Sequence, residues 1–214
     1  MSEADVHNRV NLLLASKSAQ KIDFELEGTH FVGSQLTRVA AAILTRRIGI
    51  GFGRTMTKGA AAEYDPINNV FRFPGAQTKS NFAMTTEERA MILHECVHAW
   101  CDVSVPTVGT AMHLVSIVRG PMTKLTSEAL AYVAMCLYYI YDLTDAGNDP
   151  AKSTWAADEE LYGTAFGIAN KIKNKPGAVV HKDDVLNLKV EIMNDPRYSD
   201  IQANPALIAG FNGA

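Results

Sequence analysis

The sequence predicts an α+β chain: a small β-sheet ending in a hairpin precedes a mainly helical C-terminal part. Three observations carry this. Residues 48–75, IGIGFGRTMTKGAAAEYDPINNVFRFPG, are Gly-rich and then alternate around a turn. Apolar residues fall at helical spacing on both sides of that stretch. Two segments, Ala90–Cys101 and Leu125–Tyr141, are apolar on nearly every side and therefore belong in a core. The chain has 214 residues, with Gly and Pro scattered as punctuation, so one domain over 1–214 is expected. A sheet-plus-helix half runs to about 103 and a helical half begins at about 104.

In chain order, Asp5–Ser16 and Gln35–Arg47 read as helices, the second closed by Arg46-Arg47 and Gly49. A hairpin follows around DPINN, with Val70, Phe71 and Phe73 preferring strand. Thr85 with Glu88 three positions on makes a capping box for TTEERAMILHECVHAWCDV, and Glu87-Glu88 suit the positive end of that helix. A connection broken at Pro106, Gly109 and Gly120-Pro121 surrounds AMHLVSIV. Thr126 or Ser127 then caps a second long helix, SEALAYVAMCLYYIYDL. A helix from about Trp155 to Lys173 and a shorter one after an Asp183-Asp184 cap complete the reading.

Lys and Arg number 20 against 23 Asp and Glu, a net charge of −3, which argues against nucleic acid or an anionic membrane as partner. Cys96, Cys101 and Cys136 are an odd set, which argues against a disulfide framework. The acidic N-terminal residues do not form an export signal, and Ala129–Tyr141 falls short of the roughly 20 apolar residues of a membrane span. A cytoplasmic protein is expected, or one exported by a signal-independent route.

Residues 94–98 read HECVH, an HExxH match. On a helix, His94 and His98 are about 40° apart in azimuth and about 6 Å apart along the axis, so both imidazoles reach one point. Glu95 lies about 100° round from His94, placed to touch a water on a metal: the general-base position. Uncompensated burial of two imidazoles and a carboxylate would be costly, whereas a metal supplies partners. Glu128 repeats the oddity as the lone carboxylate at the start of an apolar helix, and is the candidate third ligand. Helix capping is its other reading, and His113 is the rival ligand. Cys101 and Cys136 read as small core residues.

HECVH followed by SEALAY resembles the gluzincin metallopeptidases, which carry HExxH on one helix and an ExxA glutamate on the next long one. The matching residues are His94, Glu95, His98, Glu128 and Ala131. A metzincin would instead need a glycine and a histidine where Cys101 and Ser104 stand. The resemblance covers roughly residues 35–141. It implies a zincin-like fold with a small mixed β-sheet whose edge strand, in AAAEYDPINNVFRFPG, packs on the motif helix. It also implies one Zn2+ held by His94, His98 and Glu128, and peptide-bond hydrolysis with Glu95 as general base. A protein or peptide substrate would pair with the strand near Val70–Phe73.

Several gluzincins place an aspartate four residues after the ligand glutamate; here Tyr132 stands there. Its hydroxyl is a candidate donor to the oxyanion or to Glu128, and a core tyrosine is the plain alternative. His181 is the candidate for the downstream oxyanion partner, against a surface histidine at a helix entry. Two other functions fit the same residues: a catalytically silent or regulatory metal- or peptide-binding module with a protein regulator, and a narrow-target toxin or effector peptidase.

Overall fold

The computed structural model describes residues 3–53, 60–74, 84–104, 122–155 and 159–210. Helix α1 (Glu3–Leu14) turns at Ser16 into the short α2 (Lys17–Gln20), with the Ser16 hydroxyl accepting from the Ala19 amide. Strands β1 (Asp23–Leu26) and β2 (Thr29–Val32) form an antiparallel hairpin. Its two-residue turn holds Glu27 at φ 48° and Gly28 at φ 77°, the positive pair a tight hairpin requires. A 3-10 turn (Gly33–Leu36) leads into α3 (Thr37–Leu44). A side chain at Gly33 would meet the Ala19 carbonyl oxygen at 1.9 Å, so this turn admits glycine alone.

Strands β3 (Gly49–Gly53), β4 (Glu63–Asp65) and β5 (Val70–Pro74) make a second sheet in the order β3-β5-β4. β3 runs parallel to β5, and β4 antiparallel to it through the DPINN turn. Gly49 and Gly51 leave room for the Val70 methyls, which a Cβ would meet at 3.5 and 3.3 Å. The Val70–Phe73 stretch is therefore a central strand and not the expected edge, since β3 occupies its other side. The edge facing the motif helix is β4.

That helix, α4 (Thr86–Val103), has the expected capping box: Thr85 Oγ1 accepts from the Glu88 amide at 3.2 Å, and Glu88 Oε2 accepts from the Thr85 amide at 2.9 Å. Thr85→Ala should cost ~1 kcal/mol of stability in a denaturant titration, with no change at the far end of the helix. Helix α5 (Lys124–Asp145) lies antiparallel to α4. Arg89 and the Thr86 hydroxyl hold Asp142 at one end, at 2.5 and 2.9 Å. The cap of α5 is Thr123, upstream of the expected Thr126 or Ser127. Lys124 is already helical and pairs with Asp200, and Leu125 is buried, so the helix begins a turn earlier. Ser127 is thereby released from capping. Every residue from Ser127 to Ile140 is buried.

Helix α6 (Glu160–Ile172) starts later than expected, because Trp155 sits in a turn and packs between Tyr139 and Tyr162 at 4.4 and 5.2 Å. β6 (Ala178–Val179) pairs in parallel with β1, giving a three-stranded sheet β2-β1-β6. The single small sheet expected from sequence is thus two. The four-residue β1 and β2 and the two-residue β6 are too short to show a period of their own. Helix α7 (Lys182–Asn194) is capped by His181, whose ring accepts from the Asp183 amide, so Asp183 and Asp184 fall inside the first turn. A 3-10 turn (Pro196–Tyr198) and α8 (Ser199–Ala203) follow, and the described chain then runs to residue 210, pairing Ile208 with Thr123 in a single antiparallel bridge. Among the described residues, no helix is long and apolar enough to cross a membrane.

Candidate metal centre

One turn of α4 separates His94 from His98, and their rings meet edge to face at 4.8 Å. Their Nε2 atoms are 3.1 Å apart. Glu128, in the opening turns of α5, brings Oε2 to 3.2 Å from His94 Nε2 and 3.4 Å from His98 Nε2. The three atoms form a nearly regular triangle. Ligand atoms about 2.0–2.1 Å from a tetrahedral zinc lie about 3.3 Å from one another, so these separations are those of one tetrahedral face. The donor set fits a metal ion: two imidazoles and a carboxylate are the ligands of an open His2Glu zinc site. The group is also deeply set, with the His94 and Glu128 side chains each 8% exposed and His98 13%.

Electrostatics bind the group together. Burial alone would raise Glu128, but the facing His98 and His94 hold its carboxyl well below the usual carboxylate range. Burial pulls His98 down, and the Glu128 carboxylate overrides it, leaving the ring raised. Ser127, freed from the cap, takes His98 from the other side: its Oγ lies 2.8 Å from Nδ1. With Nδ1–H donating to Ser127, the Nε2 lone pair faces the triangle. His94 Nδ1 is buried and has no hydrogen-bond partner among the described residues.

Glu95 stands beside the triangle and not in it. Its Oε2 accepts from the Tyr64 amide of β4 at 2.8 Å, and its side chain keeps partial access to water. Burial raises its carboxyl, offset in part by His94, His98 and the Tyr64 amide. The Tyr64 hydroxyl donates to the fully buried Asp102 at 2.5 Å, so this one residue pins the edge strand to α4 at two points.

Tyr132 lies against the site, its ring edge to face with His94 at 4.7 Å. Its hydroxyl meets that of Tyr198 at 2.7 Å, and Tyr198 in turn donates to Glu128 Oε2 at 3.1 Å. Sequence reading missed Tyr198. Its only local mark is an aromatic residue after Asp195-Pro196 in a polar run, and nothing there points to Glu128. The downstream side chain brought onto the carboxylate is therefore Tyr198. His181 instead caps α7, its exposed ring 3.6 Å from Asp183. Cys96, Cys101 and Cys136 are free and buried, and burial pushes the Cys101 thiol up to about 12. His113 lies outside the described residues.

Comparisons with protein-family models, curated proteins and solved structures give no match.

Proposed function

We propose that the chain is a zinc-dependent peptidase of gluzincin type on a zincin-like frame. The observation that carries this is the convergence of the two HExxH nitrogens and Glu128 Oε2 at 3.1, 3.2 and 3.4 Å with Glu95 alongside. His94, His98 and Glu128 would hold the ion, which when bound polarises a carbonyl oxygen and lowers the pKa of water. Glu95 takes the proton of the attacking water and returns it to the leaving amine. Ser127 holds the His98 ring in the tautomer that ligation needs. The β4 edge borders Glu95 and is the strand beside which an extended peptide would lie.

One observation favours a second reading, a metal-binding module without turnover: Glu95 is engaged by the Tyr64 amide. Metal analysis of the purified chain beside turnover of a general protein substrate separates the two. We expect one zinc per chain and proteolysis that a chelator removes and zinc restores. Stoichiometric metal without cleavage of any peptide in a diverse library would select the silent module, and a metal-free chain that takes up no zinc would overturn both.

A further inference from the structure

We propose that Tyr198 is a positioning residue of this centre, fixing the Glu128 oxygen and rotamer that face the two imidazoles. The inference rests on reading His94, His98 and Glu128 as metal ligands. Its geometry is specific to one atom. Tyr198 Oη lies 3.1 Å from Glu128 Oε2, the same oxygen that His94 and His98 approach at 3.2 and 3.4 Å. A carboxylate oxygen has two lone pairs, so one serves the hydroxyl while the other faces the imidazoles. A glutamate side chain turns freely about three bonds, and a fixed donor on one oxygen narrows that freedom.

The direction of the hydrogen bonds follows from the carboxylate. An ionised Glu128 only accepts, so Tyr198 donates to it and must accept from Tyr132, whose hydroxyl is 2.7 Å away. The relay runs Tyr132 to Tyr198 to Glu128, and the Tyr132 ring also braces His94 at 4.7 Å.

Tyr198 is itself held by its neighbour. Arg197 bonds Asp195 at 2.5 Å and Glu159 at 2.8 Å through Nη2, and its guanidinium lies over the Tyr162 ring at 5.5 Å. These contacts fasten the 3-10 turn to the start of α6. The 3-10 turn after α7 thus contributes a hydroxyl to a site whose proposed ligands all come from α4 and α5.

The test is titration of the metal-free protein with Zn2+ and with Co2+, in wild type, Tyr198→Phe, Tyr132→Phe and the double variant. Outer-shell partners of metal ligands contribute about 10–100-fold in affinity, and a loss of that size is expected for Tyr198→Phe. The visible d–d spectrum of the cobalt form should change with it, while the thermal midpoint of the metal-free protein moves little. Tyr132→Phe keeps the ring and should weaken binding less. The double variant should match Tyr198→Phe within about twofold, because Tyr132 acts through Tyr198.

Wild-type affinity and an unchanged cobalt spectrum in Tyr198→Phe would overturn the role of Tyr198 and leave the metal centre standing. A wild type that binds neither ion overturns both. Should Tyr198→Phe fail to fold, Tyr132→Phe decides: a weakened site with an altered cobalt spectrum supports the relay, and an unaltered one overturns it.

Discussion

Glu128→Ala is expected to remove stoichiometric metal while the helical frame stays folded. The side chain supplies one corner of a three-atom face, so affinity should fall by more than the about 100-fold that an outer-shell loss explains. The frame should survive for two reasons. Alanine is the best helix former, and the two imidazoles, 3.1 Å apart, can still hydrogen-bond to each other. Metal analysis beside circular dichroism reads the result directly. A variant retaining one ion per chain would remove Glu128 from the ligand set and move the third position to another side chain, His113 being the rival the sequence names.

Glu95→Gln should do the opposite, keeping the ion and losing the reaction. Glu95 lies outside the triangle, so ligation is untouched, and the amide oxygen of a glutamine still accepts from the Tyr64 amide now 2.8 Å away. What disappears is the capacity to take and return a proton. General acid–base groups contribute about 10²–10⁴-fold, and turnover of a protein substrate should fall by that much at full zinc occupancy. Full activity in the variant would take the proton-transfer role away from Glu95.

The parts of this site that the sequence displays are those carried by local rules. HECVH declares itself because helical geometry alone brings positions four apart together. Glu128 is visible because a lone carboxylate in Leu125–Tyr141 has no polar face to occupy. The capping box at Thr85 is equally local, and it forms as read. What stays hidden depends on meetings between distant segments. Tyr198 reaches Glu128 across 70 positions. Tyr64 reaches Glu95 through a backbone amide, a group every residue but proline carries and no sequence pattern marks. Ser127 looks like a cap until Thr123 is seen to cap the helix, which leaves the Ser127 hydroxyl for His98. The sheets follow the same logic: the DPINN hairpin is legible from its turn residues, whereas β6 becomes a strand only because β1 is there to pair with it.

The burial of α5 has a kinetic side. A helix with no water-facing side between Ser127 and Ile140 cannot roll or slide without opening the core around it. Glu128 and Ser127 therefore keep their phase against α4, and the spacing of the three ligand atoms is maintained by packing far from them. An ion bound at the triangle would meet two helices already in place, with little of α4 and α5 left to order.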